Sequence, residues 1–100
     1  MNIEKVNALL RLAQKGRMLE IGATAAAVSI KRKRAALILI AIDASEKIKR
    51  ELELECRRYN IPLYIFSNKT ELGKICGRES VAVITVSDRN LARGIKENLL

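Results

Sequence analysis

Residues Ala35–Ile42 read AALILIAI, an uncharged apolar run of eight that ends at Asp43. A run of this length with no alternating polar residues is typical of a β-strand that is covered on both faces. We therefore predict a central strand here. Two further apolar runs along the chain predict strands over Leu63–Phe66, which Pro62 opens, and over Val81–Val86.

Helical periodicity fills the intervals between these strands. Each predicted helix follows a residue suited to the position before a helix and carries apolar residues at spacings of three and four. The predicted helices are Ile3–Lys15 capped by Asn2, Ala23–Arg34 after Gly22, one capped by Ser45 that runs to about Tyr59, Lys69–Cys76 after Asn68, and a last one capped by Asp88. Asn68 and Glu71 have the spacing of a capping box, and Gly77 stands where the short fourth helix should stop.

The alternation of helices and strands indicates the fold class. Such a chain folds as a sheet between layers of helices, so we predict an α/β protein, a three-layer α-β-α sandwich with a small mixed sheet of about four strands. With 100 residues, of which 49% are apolar, the chain has the size of one compact domain, and we expect residues 1–100 to form it.

The charge balance favours polyanions as partners. Lys and Arg number 19 against 11 Asp and Glu, which leaves a net charge of +8, and such a field attracts nucleic acid. There is no His, which removes imidazole as a general base, triad member or metal ligand and with it most hydrolase and zinc chemistry. We expect no cofactor and no metal.

The two cysteines point to a reducing compartment. Cys56 and Cys76 lie 20 residues apart with no C-x-x-C pair, so we interpret them as buried free thiols rather than a disulfide or zinc site. The N-terminus lacks the apolar region of a secretory signal, and no uncharged run is long enough to span a membrane. We expect a cytoplasmic monomer with no membrane contact.

More than half of the net charge lies in one fifth of the chain. Residues 15–34 carry a net charge of +5, because Glu20 is the one acidic residue among six cations there. If Gly22 opens a helix, the first amide groups of that helix point outward beside Arg17, and a helix N-terminus suits a phosphate. The alternative interpretation of the basic run 31–34 is a solvated helix end whose cations offset the helix dipole.

Several segments, in order along the chain, resemble a known family. They are GATAAAV at 22–28, RAALILIA at 34–41 with Asp43-Ala44-Ser45, Cys56, Ile61-Pro62, KTELGKICG at 69–77, and Val86-Ser87-Asp88. The chain is similar over about Val6–Ile95 to the kink-turn RNA-binding ribosomal proteins of the L7Ae and L30e family, above all to its short bacterial YlxQ-like members.

The resemblance implies an α-β-α sandwich that binds RNA, ribosomal or another noncoding RNA, and catalyses nothing. In the family, RNA meets the turn that opens the second helix and the loop before the last strand. By position, the resemblance implies RNA contacts at Gly22, Ala23, Thr24, Ala25 and Val28, and at Gly77, Arg78, Glu79 and Ser80.

The chain departs from the family at the helix start. The family commonly carries Gly-x-Asn-Glu and, three residues after the Glu, a Lys, whereas Thr24, Ala25 and Val28 occupy those positions here. One hydroxyl thus remains of three polar groups, so base reading should weaken. We expect phosphate contacts from Arg17, Lys31, Arg32 and Lys69 to supply affinity without sequence selectivity, and Arg78 to stack on an unpaired base.

Two other classes of function remain open on the residues. A protein-interaction or assembly factor, associated with the ribosome or another ribonucleoprotein, is suggested by the apolar turn made of Ala23, Ala25, Ala26 and Val28. A small enzyme could use Asp43, Ser87 and Asp88, which follow predicted strands. Turn and cap roles account for both aspartates, however, and the chain has neither a phosphate loop nor a G-x-G-x-x-G motif.

Overall fold

The computed structural model describes all 100 residues and contains five helices and four strands. In chain order they are α1 Ile3–Lys15, β1 Leu19–Ile21, α2 Ala23–Lys31, β2 Leu37–Ile40, α3 Glu46–Tyr59, β3 Leu63–Ile65, α4 Lys69–Cys76, β4 Val83–Val86 and α5 Arg89–Leu99. Every predicted helix and strand is present, and the three predicted strands are shorter than expected by one to four residues.

The four strands form one mixed sheet in the order β1-β4-β2-β3. Strand β4 lies antiparallel to both β1 and β2, and β3 lies parallel to β2. The run that starts at Leu37 is therefore an interior strand, as predicted, and all four residues of β2 have no solvent-exposed surface.

Helices cover both faces of this sheet. On one face α1, α4 and α5 pack against alternate strand residues that include Leu37, Leu39 and Ile84. On the other face α2 and α3 pack against Ile38 and Ile40. Because β2 contributes side chains to both clusters, its sequence shows no polar alternation, and the three-layer α-β-α prediction is confirmed.

Side-chain caps start four of the five helices. The side chains of Asn2, Ser45, Asn68 and Asp88 each accept a hydrogen bond from a backbone amide two or three residues ahead, at 2.8–3.2 Å. The capping box at Asn68 is half formed, since the Glu71 carboxylate lies 3.4 Å from Lys74 Nζ instead of returning to the Asn68 amide. Gly77 adopts a left-handed conformation, φ 69°, and ends α4 as predicted.

Between α1 and β2 the structure contains one strand that was not assigned from the sequence, and the predicted end of α2 was wrong. The connection Arg17–Ile21 contains strand β1, which pairs with β4 from Leu19↔Val86 to Ile21↔Ile84. Helix α2 ends at Lys31 rather than Arg34, because Lys33 turns into a left-handed conformation, φ 58°. This turn lets the Arg34 amide reach the Ser29 carbonyl and directs the chain into β2.

The two cysteines are buried free thiols on opposite sides of the sheet. Cys56 belongs to the cluster beneath α2 and α3, and Cys76 to the cluster beneath α1, α4 and α5. Burial, assisted by the adjacent Glu55 carboxylate, raises the pKa of the Cys56 thiol to about 11, and burial also raises the pKa of Cys76. None of the five helices is long and apolar enough to cross a membrane.

Candidate nucleic-acid interface

The strand directions divide the candidate site residues between two ends of the sheet. Strands β1, β2 and β3 all finish at the end where β4 begins, which we call the Gly22 end. At the opposite end β1, β2 and β3 begin and β4 finishes. We call it the Arg89 end, because Arg89 comes shortly after β4 in the chain. Ala36 to Ile42 spans the two ends in six residue steps, about 20 Å of extended chain.

At the Gly22 end, glycine starts α2 in a conformation that other residues rarely adopt. Gly22 has φ 101° and ψ 162°, donates its amide to the Val83 carbonyl at 2.9 Å, and accepts from the Ala26 amide at 3.1 Å. Because glycine has no side chain, α2 is the one helix without a side-chain cap at its N-terminus. The amides of Ala23, Thr24 and Ala25 have no protein acceptor.

These free amides are accompanied by small side chains. Thr24 is exposed, Val28 is 39% exposed and Ala25 is half-buried, while Ala26 and Ile30 turn into the core. The outer face of the first turns of α2 therefore lets a ligand approach the backbone closely. Free amides at the positive end of a helix dipole attract phosphate and other anionic oxygens.

The loop Gly77–Ser80 lies at the same end, and all four of its residues are exposed. Its base is held against α4, since the Arg78 amide donates to the Gly73 carbonyl at 2.8 Å and the Val81 amide to the Lys69 carbonyl at 3.0 Å. From Val81 the chain enters β4, whose first residue binds the Gly22 amide. The helix start, the loop and Lys69 are thus gathered at the Gly22 end.

The remaining candidate cations, Arg17, Lys31 and Arg32, lie away from the start of α2, and the expectation that Arg17 is beside the first amides of this helix was wrong. Lys31 is eight residues along α2 from Ala23, about 12 Å, and Arg32 follows it towards the Arg89 end. Arg17 precedes Leu19, which pairs with Val86 at the last position of β4. Topology causes the separation, because α2 and β1 both run between the two ends.

Comparing the net charge of successive segments also missed a group of cations on α5. Residues 80–100 carry a net charge of only +1, because Asp88 and Glu97 offset three cations. Those cations, Arg89, Arg93 and Lys96, recur at spacings of four and three and so share one face of α5. A search for helical periodicity among the basic residues would have detected them where a segment sum did not.

Comparison with known proteins shows the family to which this chain belongs. The family model described as "Ribosomal protein L7Ae/L30e/S12e/Gadd45 family" matches residues 4–97. This chain belongs to that family. The match covers all five helices and all four strands, apart from the first residue of α1 and the last two of α5.

Two named relatives are similar in sequence to this chain. The chain is 30% identical over 84 residues to the RNA-binding protein YlxQ of Bacillus subtilis, a match that covers 84% of each chain. It is 36% identical over 62 residues to the large ribosomal subunit protein eL8 of Caenorhabditis elegans, which is 61% of this chain and 23% of that protein.

Two solved structures share the fold. A protein of unknown function from Bacillus halodurans superimposes with a TM-score of 0.92 at 27% identity, covering 95% of this chain and 96% of the other. The 15.5kD RNA binding protein of Giardia lamblia superimposes with a TM-score of 0.83 at 23% identity, covering 96% of this chain and 82% of the other. The α-β-α sandwich of this L7Ae-family chain is thus a known one.

The residues considered for an enzyme do not form a cluster. Asp43 lies at the Gly22 end, where its carboxylate accepts the Lys69 amide at 2.9 Å and so anchors the start of α4. Ser87 and Asp88 follow β4 at the Arg89 end, where Asp88 caps α5. Because β4 is antiparallel to β2, the ends of these strands are on opposite sides of the molecule.

The apolar turn considered for a protein partner is smaller than the sequence suggested. Ala26 is fully buried and Ala23 packs against the cluster beneath α2 and α3. Of the other three, Ala23 and Ala25 are half-buried and Val28 is exposed. Val28 extends the outer face of α2 beyond Thr24.

Proposed function

We propose that this chain is a single-domain RNA-binding protein that takes a bent, kink-turn-like RNA at the Gly22 end of the sheet. The observation that carries the proposal is the uncapped start of α2, whose free amides lie at the same end of the sheet as the exposed loop Gly77–Ser80. Membership of the L7Ae family and the similarity to a relative named as an RNA-binding protein support the same ligand.

In this proposal the backbone supplies much of the recognition. The amides of Ala23, Thr24 and Ala25 donate to phosphate or base oxygens of a sharply folded strand, and the Thr24 hydroxyl adds one adaptable polar group. Lys69 and Arg78 supply positive charge nearby, with Arg78 on the exposed loop. Gly77, Glu79 and Ser80 shape the loop that borders the RNA.

This arrangement sets the kind of selectivity. Backbone amides fix the position of a phosphate backbone but carry little information about base identity. Thr24, Ala25 and Val28 offer one hydrogen-bonding side chain among three outward positions, so the protein should prefer RNA shape over sequence. The proposed targets are ribosomal or other noncoding RNAs, bound by a cytoplasmic monomer, in association with the ribosome where the target is ribosomal RNA.

Direct binding measurements test the proposal. Filter binding compares a kink-turn RNA with a plain duplex of equal length across a salt series. We expect tighter binding to the kink-turn at every salt concentration, with affinity for both falling as salt rises. Equal affinity for the two RNAs would contradict recognition of the bend, and absence of binding at low salt would contradict RNA binding itself.

A gain-of-function variant makes the test specific to the helix start. Replacing Thr24→Asn, Ala25→Glu and Val28→Lys restores the polar pattern of the family at exposed or half-buried positions without changing net charge. We expect tighter binding to the kink-turn and unchanged binding to the duplex. The matched control, Ala8→Glu with Leu12→Lys, adds the same two charges at exposed positions of α1 and should change neither.

A protein-interaction role is the second candidate, and one surface favours it. A groove of about 270 Å³ lies between α2 and α3 and is lined by eight residues, five of them apolar, of which Leu54 is 57% exposed. Size-exclusion chromatography of a lysate before and after ribonuclease treatment separates the candidates. A complex that survives ribonuclease supports a protein partner, whereas a complex held by RNA should collapse.

A further inference from the structure

A second surface lies at the Arg89 end of the sheet. It is a cleft of about 500 Å³ lined by 12 residues. Five of them are cations and none is acidic: Lys33, Arg34, Arg89, Arg93 and Lys96. The cleft is therefore a local concentration of positive charge about one strand length away from the proposed helix-start site.

Three separate elements build this cleft. The left-handed turn at Lys33, which ends α2, places Lys33 and Arg34 on one side. The face of α5 that carries Arg89, Arg93 and Lys96 forms another side. The connection from Tyr59 to Pro62, between α3 and β3, supplies the apolar part of the lining.

Ion pairs within the protein do not account for most of these cations. Arg34 is paired with Glu20 at 3.5 Å, but Lys33, Arg89, Arg93 and Lys96 have no carboxylate within 4.0 Å. Arg89 occupies the first position of α5, where the helix dipole disfavours a cation and only the capping carboxylate of Asp88 offsets it, whereas Lys96 lies in the last turn, where the dipole favours a cation. Like charges gathered in this way repel one another, so the arrangement favours a ligand that neutralises them.

The chemistry of the lining selects the ligand. Guanidinium and ammonium groups bind phosphate oxygens, the former in a bidentate fork. Tyr59 is half-buried and presents an aromatic ring among these cations, and aromatic rings stack on unpaired bases. Cations that border an aromatic and aliphatic wall are typical of sites that hold a single-stranded nucleic acid.

We propose that this cleft binds an unpaired segment of the same RNA, beyond the bend held at the Gly22 end. The phosphates of that segment contact Arg93, Lys96 and Lys33, and one base or ribose packs against Tyr59. The inference rests on the RNA binding proposed above. The molecule measures 30 × 26 × 25 Å, so an RNA must extend past the bend to occupy both surfaces.

The test compares two RNAs and three proteins. One RNA is a kink-turn with short blunt stems, and the other is the same kink-turn with a single-stranded tail on its stem. The proteins are the unmodified chain, the cleft variant Arg93→Ala/Lys96→Ala, and a control, Lys5→Ala/Arg50→Ala. The control removes two exposed cations that line neither surface. A urea unfolding curve verifies that each variant is folded.

We expect the unmodified chain to bind the tailed RNA about tenfold more tightly than the blunt one. The cleft variant should lose this difference and bind the blunt RNA as the control does. For the tailed RNA, the salt dependence of log affinity should fall by about 0.7 for each single-strand phosphate contact removed. A fourth protein, Tyr59→Leu, which keeps an apolar side chain, should lose part of the preference for the tail with no change in salt dependence.

The remaining outcomes overturn the inference in distinguishable ways. If the unmodified chain binds both RNAs equally well, the cleft does not hold a tail, although the proposed function stands. If the cleft variant and the control lose affinity equally, the cations act only through net charge. If neither RNA binds, the proposed function fails and this inference fails with it. If poly-glutamate binds the unmodified chain but not the cleft variant, and the tail has no effect, the cleft belongs to an acidic protein partner.

Discussion

The substitution Gly73→Ala probes the contact that holds the loop Gly77–Ser80 in place. Gly73 is buried in the middle of α4, directly against the backbone of the loop. A Cβ atom at this position would lie 2.7 Å from the Arg78 carbonyl oxygen and 2.9 Å from the carbonyl carbon and oxygen of Glu79. Since ordinary Cβ contacts are 3.4–4 Å, the loop or α4 must move by several tenths of an ångström.

Two opposing effects determine the magnitude. Alanine is favoured over glycine in a helix by about 1 kcal/mol, whereas overpacking of this kind destabilises by about 1–3 kcal/mol. We therefore expect Gly73→Ala to lower the free energy of unfolding by about 1 kcal/mol. A loss of that size lowers the melting temperature of a domain this small by about 4–8 °C.

Gly94→Ala is the matched control. Gly94 lies inside α5, and its added Cβ would have one neighbour, Leu9 Cδ1 at an ordinary 3.5 Å. The helix-propensity gain should therefore appear unopposed, as an increase of about 1 kcal/mol in the free energy of unfolding. Urea unfolding gives the free energy of unfolding of both variants, and the difference between the two values is the energetic cost of the clash. The displaced loop should also weaken kink-turn binding in Gly73→Ala and leave it unchanged in Gly94→Ala.

One result would refute this reasoning. If Gly73→Ala is stabilised as much as Gly94→Ala, α4 and the loop do not approach as closely as the structure places them. If Gly73→Ala loses stability but keeps full RNA affinity, the close approach is real and the loop does not contact RNA. The two measurements thus separate the structural claim from the functional one.

Four further predictions concern helix termini and the Cys56 thiol. Gly22→Ala should lower the free energy of unfolding by about 1–3 kcal/mol, because φ 101° with ψ 162° is accessible essentially to glycine alone. Gly77→Ala, in the more tolerant left-handed region, should lose less in the same urea titration. Asn68→Ala should lose about 1 kcal/mol by thermal unfolding, since the Glu71 amide loses its acceptor, while Asn68→Asp should retain stability. The pKa of Cys56 rises from 9.0 to about 11 on folding, so this thiol's contribution to stability should be lost as pH rises from about 9 through 11; a urea series over that range should show a shallower decline in Cys56→Ala.

The elements that were predicted correctly are those encoded by neighbours in sequence. Asn2, Ser45 and Asp88 were assigned as caps because a cap acts within three residues, and the structure shows the bonds. Strand β2 was recognisable because burial on both faces leaves only apolar residues. Strand β1 was missed because three residues with one central Glu20 carry too short a pattern to separate a strand from a connection.

The candidate site could be predicted in part for the same reason. Gly22 immediately before α2 is a local feature, and the positive φ that requires glycine is present. The packing of Gly73 against the loop Gly77–Ser80 has no local sequence signal, because it depends on how α4 folds back on the chain that follows it.

The composition and local order of residues determined that this chain is basic, that it alternates helices with apolar strands, and that glycine opens α2. Tertiary structure alone decided which cations share a surface. The antiparallel direction of β4 sends Asp88 and Arg89 to the opposite end from Asp43, and the length of α2 carries Lys31 and Arg32 away from Gly22. Strand pairing depends on contacts between residues far apart in the chain, whereas charge counts and caps depend on neighbours.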